Sequence, residues 1–426
     1  MKTNFHDLLR SELQRIDDAK TSKRREKVIT GFTKDYQAII NGKKYLVFNS
    51  NDYLGLRFDK EVKKSEREAS EKYGAGPGSV RFIAGTYQVY KDLERALAKF
   101  HGRDDAMIFS SAFAANLAVI SCLIKGQSKD SLVSANTLVI SDALNHRSII
   151  EGVRVANVKS EQKAIYKHLD YTNLDQILRG NKNKFKRVLV ITDGIFSMLG
   201  EHADLSKLQN IIGKHTNDYQ EEVILLVDDS HGVGAYGQTG RGCEEVSGAK
   251  CDVLVGTLGK AFGADGGYVV ADQIIIDYLR ESAATYIYSN CVSPSVAGAA
   301  LKSVKIINTA KGKKLLTLLN KNITYFKTAI QQAGFTLASD SQHAIQPILI
   351  GDTAKAKLLA EGLFKNNILV TTISYPVVSP GRDEIRVQIS ALHSKGDLKY
   401  FVDRCTTVGK EIGLLTSDSN TTASVG

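Results

Sequence analysis

The amino-acid sequence predicts an α/β protein with a mostly parallel central sheet in a large domain, followed by a smaller α+β C-terminal domain. Three observations carry this. Short runs rich in Val, Ile and Leu alternate with helical patterns: AMIF (106–109), TLVIS (137–141), RVLVITD (187–193), EVILLVD (222–228), DVLVGT (252–257) and GYVVAD (267–272). Their near-continuous apolar character is that of strands covered on both faces by helices. A second set, AIQPILI (344–350), NILVTTI (367–373) and EIRVQIS (384–390), follows a helical start near residue 295.

Taken in order, the chain opens with Phe5, Leu8, Leu9, Leu13 and Ile16 at helical spacing. These predict an amphipathic helix that packs on the body or on a second subunit. The basic stretch KTSKRREK (20–27) reads as a connector, so residues 1–43 form an N-terminal helix and connector. The large domain is expected over 44–294 and the small one over 295–413. The last residues, 414–426, are mostly small and polar and are expected to be disordered.

With 426 residues, 43% apolar and 24% charged, the chain has the composition of a globular, multi-domain protein. No apolar run approaches the roughly 18 residues of a membrane helix, so no membrane span is predicted. Five scattered cysteines, Cys122, Cys243, Cys251, Cys291 and Cys405, form no C-x-x-C pair. Neither a disulfide framework nor a metal site is supported, and a reducing cytoplasm is expected. The net charge of +10 fits a solvated lysine-rich surface. No basic stretch is interleaved with stacking aromatics, so nucleic acid is not an expected partner.

In open α/β sheets ligands sit beyond the carboxyl ends of the strands, so polar residues at those ends carry the functional signal. Asp228 closes the run EVILLVD, and His231 follows three residues later. A carboxylate there can hold the ring nitrogen of pyridoxal phosphate protonated, making the ring an electron sink. Asp228 alone would as readily cap the next turn. Thr257 ends another strand, with Lys260 three residues on in a glycine-rich turn. A desolvated lysine loses basicity and becomes a nucleophile toward an aldehyde. By itself this is the commonplace pattern of a surface lysine; its coincidence with Asp228 and His231 points to function. A third strand ends at Phe109, and a helix beginning near Ala112 presents the amides of Ser111, Ala112 and Phe113 to an anion such as phosphate. The alternative is an ordinary N-cap at Ser111.

Eight segments in this order resemble the α-oxoamine synthase family of fold type I pyridoxal-phosphate enzymes, over roughly 40–412. They are NDYLGL (51–56), YGAGPGSVRFIAGT (73–86), SSAFAAN (110–116), SDALNHRSIIEGVR (141–154), TDGIFSM (192–198), VDDSHGVG (227–234), GTLGKAFG (256–263) and IRVQISALH (385–393). Within the family, DALNH, DDSHGVG and YPVV (375–378) are most similar to the 2-amino-3-ketobutyrate CoA ligase branch. The resemblance implies pyridoxal 5'-phosphate as cofactor, glycine and acetyl-CoA as substrates, and a homodimer with shared active sites. Decarboxylating relatives such as serine palmitoyltransferase or 8-amino-7-oxononanoate synthase are the alternative, and a catalytically silent partner subunit is a third.

Position by position, the resemblance assigns Lys260 as the lysine that carries the cofactor, Asp228 as the ring-nitrogen partner and His231 as the ring-hydroxyl partner. It makes His146 the stacking histidine and Ser197 a serine near the ring hydroxyl. Ser111, Ala112, Phe113 and Thr257 would bind the phosphate, joined by Ser289 from the neighbouring subunit. Asn51 and Arg386 would hold the substrate carboxylate. Three features depart from the family pattern. Tyr90 replaces a histidine, with an expected effect on acyl-donor contacts; Leu199 replaces an acidic residue; and the loop KGQSKDSLVSAN (125–136) is longer than in the ketobutyrate ligases.

Overall fold

Each of the β-rich runs forms a strand in the computed structural model, which describes residues 4–19, 22–24, 26–375 and 377–415. The chain divides into two compact units, Met1–Val47 and Phe48–Gly426. Residues 416–426 of the expected disordered tail lie outside the described residues, as do three of the basic connector.

In the first unit, helix α1 (Phe5–Asp18) is capped by the Asn4 side chain, which accepts the His6 amide at 3.0 Å. It forms where the periodicity predicts, yet none of its residues is buried, and Phe5 is 68% exposed. Strands β1 (Gly31–Phe32), β2 (Ala38–Ile40) and β3 (Lys43–Val47) pair as an antiparallel meander.

The second unit is organised by a seven-stranded sheet of β4 (Asp105–Phe109), β5 (Thr137–Asp142), β6 (Lys163–Tyr166), β7 (Arg187–Asp193), β8 (Glu222–Asp228), β9 (Val253–Thr257) and β10 (Gly267–Ala271). The spatial order is β4-β10-β9-β8-β7-β5-β6, and only β10 runs against the rest. Every residue of β9 and β10 is buried, as expected of central strands covered by helices. Among those helices, in chain order, are α2 (Lys60–Tyr73), α3 (Gln88–His101), α4 (Ala112–Ile124) and α5 (Arg147–Ala156). Helix α4 is apolar nearly all round because it lies inside the core with β4, β9 and β10.

Farther along, β11 (Ile345–Leu349), β12 (Ile368–Leu369), β13 (Thr371–Ile373) and β14 (Glu384–Gln388) account for the last three runs. The run NILVTTI breaks at Val370 because its halves have different partners. Leu369 accepts the Phe48 amide at 2.9 Å, whereas β13 pairs with β14. The sheet order is β11-β14-β13, all antiparallel. Along β14, Glu384, Arg386 and Gln388 share one face by strand alternation.

Candidate active site

The carboxyl ends of β4, β7, β8 and β9 open on a cavity of about 230 Å³. Nine of the residues predicted from sequence line it: Ser111, Ala112, Phe113, His146, Ser197, Asp228, His231, Thr257 and Lys260. At one end, α4 begins at Ala112, and Ser111 caps it by accepting the Ala114 amide at 3.1 Å. The first amides of the helix have no partner within it and carry its positive dipole end. Gly267 allows this approach: a Cβ there would lie 2.2 Å from the Ala112 nitrogen. The cavity therefore has an anion-binding end.

Opposite stands Asp228, 5% exposed. Its Oδ1 accepts the Ser230 amide at 3.0 Å, and its Oδ2 accepts the Asn116 side-chain amide at 2.6 Å. The same Asn116 amide group donates to Ser148 Oγ at 2.8 Å, and Ser148 Oγ lies 2.7 Å from His146 Nδ1. The Ser148 backbone amide also donates to that nitrogen, which makes Nδ1 an acceptor and places the proton of a neutral ring on Nε2. Burial lowers the His146 pKa, against the pull of Asp228, so a neutral ring is favoured.

Lys260 lies in the turn after β9. Desolvation lowers its amine from 10.5 to about 8, even though Asp228 and Asp193 favour the charged form. A substantial fraction is thus an uncharged nucleophile at neutral to mildly alkaline pH. Thr257 is closed on itself in this state, donating to the Gly266 carbonyl at 3.0 Å and accepting the Gly259 amide at 3.2 Å.

His231 is held from behind. Its Nδ1 lies 2.7 Å from the Tyr53 hydroxyl, and its carbonyl accepts His343 Nε2 at 3.0 Å. Burial holds this imidazole well below its usual pKa, with Lys260 and Arg386 adding to the effect. The turn is tightened by Asp229, which receives the Cys243 amide at 2.7 Å; a Cβ on Gly232 would meet its carboxylate at 2.2 Å. Arg386 and Asn51 do not line the cavity but adjoin it. Arg386 Nε donates to the Ser197 carbonyl at 2.6 Å, and Asn51 Oδ1 is 3.3 Å from the Tyr53 hydroxyl. Ser289 is exposed and is not among the lining residues.

Sequence reasoning passed over Asp193, Ser148, Asn116, Tyr53 and His343. Asp193 ends β7 in register with Asp228 and accepts the His146 amide at 3.1 Å. Burial and the Asp228 charge push its carboxyl well above the usual range. Its position as a second strand-end acid, in TDGIFSM, was the available signal; the others act from helices or loops and leave no comparable mark. Tyr90 is fully buried, with its hydroxyl donating to the Val292 carbonyl at 2.6 Å. That hydroxyl is engaged by the backbone of the same chain.

A second cavity, of about 630 Å³, meets the first at Ser197. Leu144, Ile150, Phe196, Met198, Leu199 and Val378 give it an apolar lining, and Glu384 and Arg382 also border it. Glu384 is wholly buried with neither carboxyl oxygen hydrogen-bonded, and burial raises it to about 7 despite the nearby Arg386 and Arg382.

Fold and cavity together define a fold type I enzyme of the aminotransferase kind. The family model described as aminotransferase class I and II matches residues 43–405. An 8-amino-7-oxononanoate synthase from Fervidobacterium nodosum is 37% identical over 381 residues, covering 88% of this chain and 91% of that protein. The 2-amino-3-ketobutyrate coenzyme A ligase of Escherichia coli is 35% identical over 419 residues, covering 97% and 100%. Among solved structures, Sphingomonas wittichii serine palmitoyltransferase superposes with a TM-score of 0.86 at 28% identity, covering 96% of this chain and 98% of that one. The chain belongs to the aminotransferase class I and II family, within its α-oxoamine synthase group.

Proposed function

We propose that this protein uses pyridoxal phosphate to join glycine to the acetyl group of acetyl-CoA, giving 2-amino-3-oxobutanoate and free CoA. The coarser activity is that of its family, whose members are pyridoxal-phosphate-dependent acyltransferases condensing an amino acid with an acyl-CoA. The observation that carries the reading is one cavity lined by an amine of lowered basicity, Lys260, a buried carboxylate, Asp228, and the start of helix α4 at Ser111, Ala112 and Phe113.

These groups fit the cofactor. The amides of Ala112 and Phe113, with Ser111, suit the phosphate. Asp228, held by Asn116 and Ser230, suits a protonated ring nitrogen. His146 would cover the ring, and Ser197 and His231 would serve its hydroxyl; all three line the cavity. Thr257 can add its hydroxyl to the phosphate once it turns from Gly266. When bound, the cofactor draws in the electron pair left on the substrate α-carbon after its proton departs.

The chain's own residues do the rest. Arg386 and Asn51 grip the substrate carboxylate, the guanidinium through two parallel hydrogen bonds. With the cofactor bound, Lys260 would hold it through Nζ, and the same atom would accept the substrate's α-proton. A carbon–carbon bond forms between the α-carbon and the thioester carbonyl as the carbon–sulfur bond breaks, and CoA leaves as the thiol.

A homodimer with shared sites is part of this reading. It is supported by the exposure of Ser289 beside Tyr288, itself 83% exposed, and of Phe82 and Ile83 at 65% and 68%. Five buried, unpaired cysteines accord with a reducing cytoplasm. No helix among the described residues is long and apolar enough to cross a membrane.

One observation favours a second reading. The apolar 630 Å³ cavity exceeds what an acetyl group fills, and a longer acyl chain would use it, as in a decarboxylating synthase. A matrix of amino acids against acyl-CoAs of increasing length, read by thiol release and by carboxylate retention, tests both. Turnover confined to glycine with acetyl-CoA, carboxylate retained, supports the first. A rate rising with chain length, with loss of carbon dioxide, supports the second. Absence of both thiol release and a visible cofactor band would leave a catalytically silent subunit.

A further inference from the structure

We infer that Tyr53 is a positioning residue that fixes the tautomer of His231, so that the imidazole presents an Nε2–H donor to the cofactor cavity. The inference rests on the functional reading above and deepens it. Tyr53 and His231 are both buried, and the phenol oxygen lies 2.7 Å from Nδ1. The hydroxyl has one proton and two neighbours able to accept it: His231 Nδ1 at 2.7 Å and Asn51 Oδ1 at 3.3 Å. The Arg386 guanidinium is near Tyr53 and favours negative charge on its oxygen. A guanidinium can only donate, so its pull on the phenol oxygen competes with an N–H from the imidazole. That leaves the phenol poorly able to accept a strong bond from an Nδ1–H and well disposed to give its own proton to the nearer acceptor.

The consequence concerns one proton. A neutral imidazole carries a single N–H, and if Nδ1 accepts from Tyr53, the hydrogen must sit on Nε2. His231 lines the cavity, and Nδ1 is spent on Tyr53, so Nε2 is the nitrogen left for a ligand. Without the hydroxyl, nothing in the described structure prevents the reverse tautomer, which would offer a bare acceptor where a donor is needed. Tyr53 also ties two halves of the site together, because its other neighbours, Asn51 and Arg386, are the proposed carboxylate grip.

The charged and titratable groups around His231 are Lys260, Arg386, His343 and His146, with Tyr53 behind it. Burial, with Lys260 and Arg386 adding to it, disfavours a second proton on the imidazole, which keeps the tautomer question a choice between two neutral forms. His343 supports the arrangement sterically. Its ring packs edge-on against Tyr53 with centroids 4.9 Å apart, its Nε2 bonds the His231 carbonyl and its Nδ1 accepts the Ile345 amide, so neither nitrogen is bonded to the His231 ring.

The test compares pH titrations of the visible cofactor band in wild-type holoenzyme, Tyr53→Phe, His343→Gln, His231→Asn and the Tyr53→Phe/His231→Asn double variant. A donor at the ring hydroxyl stabilises its ionised form, so losing that donor lets the titrating proton persist to higher pH. Tyr53→Phe, which keeps the ring and removes only the hydroxyl, should move the midpoint upward by about one pH unit, the scale of one neutral hydrogen bond. His343→Gln should leave the midpoint in place, and Tyr53→Phe should add nothing in the His231→Asn background. Nitrogen NMR of wild-type holoenzyme reads the tautomer directly and needs no variant to fold. A proton found on Nδ1, a Tyr53→Phe titration coincident with wild type, or a full extra shift in the double variant overturns the proposal. A wild-type protein with no visible band at all overturns the cofactor reading instead, and this inference with it.

Discussion

Two adjoining cavities, meeting at Ser197, are built on opposite principles. In the smaller one most of the polar side chains are paired, Asp228 with Asn116 and Ser230, His146 with Ser148, and His231 with Tyr53, while Asp193 Oδ1 and Ser230 Oγ are buried without a partner. In the larger one an apolar wall surrounds Glu384, whose two carboxyl oxygens are buried and unbonded. A paired network fixes geometry and suits a constant chemical step. The larger chamber, mostly apolar and holding an acid that only the nearby Arg386 and Arg382 offset, has no such network.

The contrast can be broken most severely at Lys260. Lys260→Ala should lower condensation roughly ten-thousand-fold, the upper range for a positioned acid–base group, in a steady-state thiol-release assay. Arg386→Ala is the next largest effect. Losing a charge-assisted bidentate grip should raise the amino-acid KM about a hundredfold while the acyl-CoA KM changes little. A change confined to the acyl donor would move Arg386 from the chemical to the specificity side.

Glu384 sharpens the comparison through stability. Its folded-state pKa is raised to about 7 from 4.5. The penalty is therefore absent below about pH 4.5 and grows as pH rises through about 7. Glu384→Gln should match wild type in acid and melt about 2 °C higher near pH 8, measured by calorimetry. Equal melting temperatures at both pH values would mean that the acid is answered in solution.

His168 gives the smallest effect and the opposite sign. Burial alone would lower its pKa, but hydrogen bonds to the carboxylates of Asp142 and Glu201, each at 2.9 Å, outweigh this and raise it to about 9. A raised histidine stabilises fully below about 6.5 and loses that contribution as pH climbs through about 9. His168→Gln should thus melt about 1 °C lower near pH 6 and converge with wild type near pH 10.

Much of the smaller cavity was legible in sequence because strand periodicity places residues. Once EVILLVD is a buried strand, Asp228 must stand at its carboxyl end, and the same logic puts Thr257 and Lys260 beside it. Asp193 obeys this rule too and was passed over for want of a distinctive neighbour. Tyr53, Asn116 and His343 were not legible, since their roles depend on approaches between residues up to 178 positions apart in the case of Tyr53 and His231. Periodicity also placed α1 correctly, but the apolar face expected to pack on the body or on a second subunit stays open within this chain, with Leu8 and Leu9 55% and 44% exposed. The character of the larger cavity was equally hidden. Leu199 was noticed as a departure, but only folding brings it to one chamber with Glu384.

The central claim is a covalent one, and borohydride reduction tests it most directly. Purified protein incubated with pyridoxal phosphate, reduced, digested and mapped by mass spectrometry should carry the cofactor on Lys260 and lose that adduct in Lys260→Ala. Stoichiometric modification at another lysine, with Lys260 unlabelled, would contradict the account.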